Sequence, residues 1–314
     1  MLDFNQFEEK IKTINSNLRH KYKKYFSISN EEFLKSLEEN VGEIENFEKL
    51  SQKELEKIDD LVGVDGSVNR CGGAYPHYIE MFQGLAKSTK YEEVYVSDIY
   101  TPTLNDSFEI EEKREKLLAT IEIESALEYI KKRKPQVLMM DGGFIRYKIN
   151  CPENFKDLRE ICQKQNIILF GVIKDIKTGI LARALSLDRS IYDRELLFNR
   201  FKIGQALLIK NEVNKKYIEK GLGEGFSSAF IRTSNFPGVV GIDILDVQEN
   251  YLRFVSRLVY SLTPINSRGI PLWLDIVDKD VRITDELIKA SLESYLDRDL
   301  YERFFVSERD KRTL

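Results

Sequence analysis

The chain of 314 residues is poor in the side chains that bind soft metals or form disulfides, with two histidines, His20 and His77, and three cysteines. So few histidines argue against a His-rich zinc site. The cysteines show no C-x-x-C spacing, and their odd number argues against a disulfide scaffold. Because there is neither a run of about 18 apolar residues nor a basic-then-apolar leader, we expect no membrane span and a cytoplasmic location.

Several enzyme motifs are also absent from the sequence. It contains no G-x-x-x-x-G-K-[ST] phosphate loop, no G-x-S-x-G nucleophile elbow, and no G-x-G-x-x-G after a predicted strand. A P-loop ATPase, an α/β-hydrolase and a dinucleotide-binding enzyme are therefore not expected. The net charge is only −4, so a nucleic-acid site would have to be a local basic groove.

The first part of the chain is rich in Glu, Lys, Asn and Leu. Apolar residues recur there at helical spacing, with Phe4, Phe7, Ile11 and Ile14 on one face. We therefore predict an N-terminal helical segment over residues 1–58.

Residues 59–314 alternate between short apolar strands and amphipathic helices, which is typical of an α/β fold. Leu61–Val64 and Val137–Met140 are predicted as buried strands, with a long helix over 108–133 between them. Residues of about 186–225 are predicted as a helical insertion. We therefore predict a mixed sheet flanked by helices, preceded by the N-terminal helices.

Both predicted strands end in an aspartate followed by a glycine, Asp65-Gly66 and Asp141-Gly142. Open α/β sheets bind ligands beyond the carboxyl ends of their parallel strands, and a glycine there permits a turn and a close approach by a ligand. Two carboxylates at adjacent strand ends would repel each other unless a cation lay between them. Such oxygen ligands suit Mg²⁺ or Mn²⁺. The alternative is that each Asp-Gly pair is only a turn.

Two glutamates, a lysine and a C-terminal aspartate are further candidates for this site. Glu122 and Glu124 lie on the long predicted helix, and the sequence does not distinguish which of them faces the strand ends. Lys174 follows an apolar strand and could neutralise a phosphate. Asp278 lies in an apolar stretch before Thr284, a predicted helix N-cap. Each of the four could equally be an ordinary surface charge.

The order and separations of these motifs resemble the NurA nuclease family. Its members have a V-D-G-S strand end, a helix with a glutamate, a D-G strand end, an apolar strand closing on a lysine, and a C-terminal stretch that begins with proline and ends in I-T. In this chain the corresponding residues are Val64–Ser67, Glu122 or Glu124, Asp141–Gly143, Gly171–Lys174 and Pro271–Thr284. The resemblance covers roughly residues 60–295.

The resemblance implies that residues 59–314 form an RNase H-like nuclease domain. It implies a DNA nuclease, acting as a single-strand endonuclease and a 5′-to-3′ exonuclease in DNA end processing. Two Mn²⁺ or Mg²⁺ ions would clamp the scissile phosphate, while Lys174 would offset its charge. The metal ligands implied are Asp65, Glu124 or Glu122, Asp141 and Asp278. The resemblance further implies a homodimer that works with a HerA-type hexameric ATPase.

The chain departs from the family at two positions. Asp278 stands where some members have a histidine, and Phe230 stands where some have a functional tyrosine. Two other functions are also considered. An actin-like phosphotransferase shares the core topology, but it would need a threonine-containing phosphate loop, which Asp141–Gly143 lacks. A non-catalytic DNA-binding or scaffold module would keep the fold without the chemistry.

Overall fold

The computed structural model describes residues 4–104, 110–217 and 221–306 of the chain. Within these ranges, nine strands form one sheet. The strands are β1 (Gly42–Asn46), β2 (Leu61–Gly72), β3 (Tyr78–Ser88), β4 (Val94–Tyr100), β5 (Val137–Asp141), β6 (Ile168–Ile173), β7 (Gln205–Ile209), β8 (Phe226–Ile231) and β9 (Val240–Leu245). Their order across the sheet is β1-β7-β8-β9-β6-β5-β2-β3-β4.

Helices precede, connect and follow these strands. They are α1 (Phe4–Lys21), α2 (Lys23–Phe26), α3 (Asn30–Asn40), α4 (Gln52–Leu55), α5 (Ile110–Lys132), α6 (Phe144–Asn150), α7 (Pro152–Gln165), α8 (Ile180–Ala184), α9 (Asp193–Leu197), α10 (Asn211–Tyr217), α11 (Leu252–Ser261), α12 (Leu272–Val281), α13 (Asp285–Tyr295) and α14 (Arg298–Phe304). Short 3₁₀ helices form at Pro102–Leu104 and Asp246–Tyr251. In the described ranges, no helix combines the length and the apolar character needed to cross a membrane.

The centre of the sheet mixes antiparallel and parallel strand pairs. β2 pairs antiparallel with β3, and β3 pairs antiparallel with β4. β5 pairs parallel with β2, and β6 pairs parallel with β5. The chain passes from β4 to β5 through the long helix α5, since a parallel pair needs such a crossover. This arrangement confirms the predicted RNase H-like mixed sheet flanked by helices.

Each face of the sheet carries its own apolar core. Alternate residues of a strand point to opposite faces, so Val64 packs in one core with Ile123 of α5. Met139 points the other way and packs with Leu258 of α11. Because both faces are covered, the central strands are continuous apolar runs, and the polar side chains that follow them stand out in the sequence.

Strand β2 is longer than the sequence indicates. The prediction that it ends at Asp65 was wrong, because β3 pairs with it as far as Gly72. Its parallel pairing with β5 does stop early, at Val64. Asp65 therefore lies where one neighbouring strand ends while the other continues.

Two further strands lie in segments predicted as helical. β7, inside the predicted helical insertion, is buried along its whole length, and a short apolar run of this kind does not distinguish a strand from a helix. β1, inside the first 58 residues, pairs antiparallel with β7 at the edge of the sheet. The division of the chain at residue 58 stays a prediction, although β1 belongs to the same sheet as the later strands.

Candidate active site

Asp65 of β2 and Asp141 of β5 are neighbours across the sheet. The parallel register ends with Val64 opposite Met140, so the two aspartates are the next residues along the two strands. Neighbouring strands lie about 4.8 Å apart, and residues in register point to the same face. Gly142 has a φ of 127°, a conformation that favours glycine, and there the chain leaves the sheet toward α6. The fold therefore brings the carboxyl groups of Asp65 and Asp141 together, at the point where the parallel pairing of β2 and β5 ends.

The charge of Asp65 is poorly compensated. The side chain is buried, and its Oδ1 accepts a hydrogen bond from the N–H of Gly66 at 2.7 Å. Burial, followed by the negative charges of Asp141 and Glu122, raises the pKa of Asp65 to about 9, while Lys174 acts in the opposite direction. A cation placed beside Asp65 would favour its ionised form.

Glu122 of α5 supplies a third carboxylate, and it is almost fully buried. Its oxygens accept hydrogen bonds from both terminal nitrogens of Arg146, each at 2.9 Å. Oε2 also accepts a hydrogen bond from the Tyr147 hydroxyl at 2.7 Å. Burial raises the pKa of Glu122 even though Arg146 opposes the shift. Because each carboxylate oxygen can accept about two hydrogen bonds, Oε1 keeps one lone-pair position.

Gly66 allows Glu122 to approach the strand closely. A Cβ added at Gly66 would lie 2.8 Å from Oε1 of Glu122 and 2.8 Å from Leu118. The sequence predicts a turn and a close approach by a ligand at this glycine, but the residue lies inside β2 and is paired with Gly84 of β3. Its contribution is the space that its missing side chain leaves for the glutamate.

Lys174 follows directly after β6, and its ammonium donates a hydrogen bond to Oδ2 of Asp141. Burial by itself would lower the pKa of Lys174, but the charge and hydrogen bond of Asp141 raise it overall. Lys174 therefore stays charged, and its ammonium is positioned beside the carboxylate pair.

The two glutamates that the sequence left open lie in different surroundings. Glu122 lines a cavity of about 400 Å³ together with Asp65 and Asp141. Glu124 is half-buried on another side of α5, and the charges near it are Asp98 and two residues of its own helix. The structure therefore brings Glu122 to the aspartate pair and leaves Glu124 outside this cavity.

Asp278 does not line the cavity of the carboxylate cluster. It is on α12, and its carboxylate accepts a hydrogen bond from Arg282 at 3.1 Å. Another residue of this helix, Asp275, accepts a hydrogen bond from Arg268 at 2.6 Å. That hydrogen bond, and then the charges of Asp275, Asp278 and Asp141, raise the pKa of Arg268, although burial opposes the shift.

Phe230 is buried in β8 and packs in the core on the face covered by α5. Three polar residues that line the carboxylate cavity were not predicted from the sequence: Glu115, Arg146 and Asn150. Arg146 could have been found from its position, because the first turn of a helix that starts at a strand end lies close to that end. Its pairing with Glu122 depends on a contact between helices α5 and α6, which no local pattern predicts.

The donors at this site suit a hard divalent cation. When all three are ionised, the carboxylates of Asp65, Glu122 and Asp141 carry one more charge than the two cations beside them, Arg146 and Lys174. Carboxylate oxygens are the ligands that Mg²⁺ and Mn²⁺ prefer. Among the described residues, no three Asp, Glu, His or Cys side chains are close enough together to form a complete ligand set. Two features thus support a divalent cation at this site: the type of donor atom and the uncompensated charge of ionised Asp65.

Comparison with known proteins gives one family. A family model of the NurA domain matches residues 31–283 of the chain. The matched range includes all of the candidate site residues named above. Among curated proteins, none matches the chain significantly in sequence.

Solved structures also resemble the chain. The NurA nuclease from Sulfolobus solfataricus aligns with a TM-score of 0.58 and 14% identity, covering 95% of this chain and 99% of that one. The catalytic domain of human endonuclease V aligns with a TM-score of 0.41 and 16% identity, covering 84% of this chain and 95% of that one. The likeness to the Sulfolobus protein shows a shared fold.

Proposed function

The chain belongs to the NurA family, and from this we propose that it is a metal-dependent DNA nuclease that hydrolyses phosphodiester bonds. One observation carries the proposal: Asp65 and Asp141 are neighbours across two parallel strands, with Glu122 beside them. Such a concentration of carboxylates is unfavourable by itself and favourable around a cation. Lys174 adds a positive charge where the phosphate of a substrate would lie.

Asp65 and Asp141 would hold the divalent cations, with Glu122 contributing through Oε1. Two bound Mn²⁺ or Mg²⁺ ions would activate the attacking water and stabilise the leaving oxygen. Lys174 would move from Asp141 toward a phosphate oxygen, which a lysine side chain reaches easily because its ammonium sits on a flexible stem. Arg146 would keep Glu122 ionised and oriented. Asp278 stays a prediction as a further ligand, since it does not line the cavity and its carboxylate accepts a hydrogen bond from Arg282.

The finer activity rests on the family resemblance. We propose a single-strand endonuclease and 5′-to-3′ exonuclease that acts in DNA end processing. Because the sequence has no ATPase phosphate loop, directional movement along DNA would need a motor, and a HerA-type hexameric ATPase is the proposed partner. We also propose a homodimer. The cytoplasm is the proposed location, which suits three buried cysteines that form no disulfide bond.

The proposal is tested by removing one carboxylate at a time. Asp65→Asn and Asp141→Asn keep the side-chain shape but remove a charged ligand. We expect cleavage of single-stranded DNA in Mn²⁺ to fall to background in both variants, because a neutral amide binds a hard cation weakly. A gel assay with end-labelled DNA measures cleavage, and circular dichroism checks that the fold is intact.

The chain offers a matched control on the same helix. Glu122→Gln should lose activity as the aspartate variants do, whereas Glu124→Gln should cleave like the wild type, since Glu124 lies outside the cavity. Wild-type cleavage in correctly folded Asp65→Asn protein would reject the site. Loss of activity in Glu124→Gln but not in Glu122→Gln would show that the assignment on α5 is reversed.

A further inference from the structure

A second cavity, of about 780 Å³, lies next to the carboxylate cluster. Lys174, whose ammonium contacts Asp141, also lines this cavity. Pockets that bury a ligand usually measure about 300–1,000 Å³, so the space is large enough to hold one. We call it the aromatic cavity, because five rings line it: Tyr22, Tyr25, Phe26, Phe198 and Phe236.

Three of these rings are unusually exposed for phenylalanine. Phe26 is 66% exposed, Phe198 is 52% exposed and Phe236 is 46% exposed. Phe198 and Phe236 meet edge to face, with their ring centroids 6.3 Å apart. Exposed apolar surface gathered in a concave site marks a binding surface more often than isolated exposed residues do.

The wall that carries Phe198 and Phe236 is held in place by hydrogen bonds. The guanidinium of Arg232 donates to the carbonyl of Phe236 at 3.2 Å and to that of Phe201 at 2.8 Å. The N–H of Asn199, next to Phe198, donates to the carbonyl of Pro237 at 2.8 Å. These contacts join the two ring-bearing segments, so the rings are arranged before any ligand arrives.

The segment that carries Tyr22 and Tyr25, at the start of α2, is also fixed. The Tyr22 hydroxyl donates to Glu195 at 2.9 Å, and the Tyr25 hydroxyl donates to the carbonyl of Leu196 at 2.5 Å. Arg200 in turn donates to the Tyr25 hydroxyl at 2.9 Å. Hydrogen bonds therefore anchor both groups of rings that line the aromatic cavity.

The charge around the aromatic cavity suits an anionic ligand with an apolar part. Arg19, Lys174 and Arg194 line it, against the acids Asp175 and Glu195. Asp175 pairs with Arg194 at 3.0 Å, and Glu195 accepts the Tyr22 hydroxyl. The cations that line the cavity exceed the acids by one. The additional cation, Lys174, is paired with Asp141, so a phosphate would bind it in exchange for that carboxylate.

We propose that the aromatic cavity binds an unpaired base of the nucleic-acid strand whose phosphate lies at Asp65 and Asp141. The inference rests on the proposed function, because Lys174 joins the two sites. A nucleotide combines a flat apolar ring with a phosphate, which matches the exposed rings and the cations. Bases stack on aromatic side chains with little dependence on sequence.

This binding mode discriminates against duplex DNA. A paired base is stacked between its neighbours, and moving it sideways into a cavity costs the free energy of unstacking and unpairing. An unpaired base enters without breaking a base pair. The aromatic cavity would therefore favour single strands and frayed ends at the same carboxylate cluster.

The test removes two aromatic rings from the cavity and, separately, single bases from the oligonucleotide. Phe198→Ala/Phe236→Ala is compared with the wild type, both carrying Asp65→Asn so that DNA stays uncut. The control pair Tyr251→Ala/Tyr295→Ala removes two exposed rings that do not line the aromatic cavity. Fluorescence anisotropy gives the dissociation constant for a single-stranded oligonucleotide and for copies with one abasic position, moved along the strand. The phosphate at which the strand is cut is identified by cleavage mapping with protein that retains Asp65.

We expect an abasic position next to the cut phosphate to weaken binding about tenfold in the wild-type cavity, the order of one base–ring stack. The Phe198→Ala/Phe236→Ala protein should bind the intact strand about tenfold more weakly and show no further loss with the abasic strand. The conservative Phe198→Trp should keep the effect of the abasic position, and the control pair should match the wild type.

The abasic position could weaken binding equally in the proteins with and without the two phenylalanines. That result would overturn the inference and leave the nuclease proposal standing. A change of oligomeric state in Phe198→Ala/Phe236→Ala, with unchanged DNA binding, would also overturn it and assign the cavity to a protein partner. Failure of the wild type to cut DNA would instead reject the proposed function, whatever the cavity binds.

Discussion

At the scale of single residues, Gly66 controls how close helix α5 comes to the aspartate pair. It lies between Asp65 and the rest of β2, directly under Glu122. The space left by its missing side chain is filled by the Glu122 carboxylate and by Leu118. A methyl group there would force the helix or the glutamate outward, since close-packed interiors have few spare volumes.

Substitution of this glycine tests whether the position of Glu122 matters for cleavage. We expect Gly66→Ala to reduce kcat by about a hundredfold, because displacing a catalytic group by about 1 Å can cost that much. The control is Gly73→Ala, where an added Cβ would lie 3.8 Å from the nearest atom, the carbonyl of His77. Single-turnover cleavage in Mn²⁺ measures both variants. Similar rates for the two would show that the close approach of Glu122 is not needed.

The residue types of the site could be predicted only in part. Asp65, Asp141 and Lys174 each follow an apolar strand, and that local pattern is visible in the sequence. The sequence does not show whether Glu122 or Glu124 faces the aspartates. Both have apolar neighbours, and the rotation of α5 about its axis is set by its packing on β2. The countercharge of Arg146 depends on a contact between two helices, so it also escaped prediction.

At the scale of secondary-structure elements, α1 presents an apolar stripe to solvent. Its large apolar side chains are all half-exposed or more, and they repeat at alternating spacings of three and four: Phe4, Phe7, Ile11, Ile14 and Leu18. A stripe with this spacing is typical of a seam between two helices. A second copy of the chain, packing through Phe4, Phe7, Ile11 and Ile14, would cover the stripe in the proposed homodimer and leave Leu18 to the aromatic cavity.

A charge in the middle of this stripe should separate the dimer. We expect Ile11→Asp to raise the dimer dissociation constant by at least about tenfold, because each buried isoleucine contributes roughly 1.5–3 kcal/mol. Ser16→Asp, on the opposite side of the exposed helix, is the matched control. Sedimentation velocity over a range of concentrations measures the dissociation constants. A stable dimer in Ile11→Asp, or a monomeric wild type, would show that α1 does not form the interface.

Helices and strands were predicted well where the repeat of apolar residues is long, and less well where it is short. The helix α5 runs over 23 residues, close to the predicted range, because its apolar stripe repeats over many turns. β7 has only five residues and no alternation, so it was assigned to a helical insertion. The length of β2 was underestimated because its outer half is defined by pairing with β3 rather than by its own apolar residues.

At the scale of the whole molecule, the sheet joins residues that are distant in sequence. Asp65 and Asp141 meet because β2 and β5 pair in parallel after the α5 crossover, and Lys174 arrives through the next parallel strand, β6. The alternation of strands and helices predicts such a sheet. The register does not follow from the sequence, since apolar strands can pair in more than one alignment.

The whole chain is acidic, with a net charge of −4, so binding of DNA must come from local groups. Arg146, Lys174 and Arg268 lie around the carboxylate cluster, and the aromatic cavity adds Arg19 and Arg194. Bound divalent ions would strengthen this local attraction. Bound metal is therefore expected to strengthen DNA binding, in addition to the attraction of the arginines and Lys174.

The most direct test of this account is a calorimetric titration of the metal-free protein with Mn²⁺ at several pH values between about 6 and 8. Burial and the neighbouring carboxylates raise the pKa of Asp65 to about 9, so a bound cation must displace its proton. The affinity should therefore rise with pH, by up to about tenfold per unit for one displaced proton, and level off above the pKa.

In that titration we expect saturable Mn²⁺ binding to the wild type, a rise in affinity with pH, and loss of both in Asp65→Asn. Glu124→Gln should titrate like the wild type. Saturable binding of the same affinity and pH dependence in Asp65→Asn, or no saturable binding in the wild type, would contradict the claim that these carboxylates form a metal site.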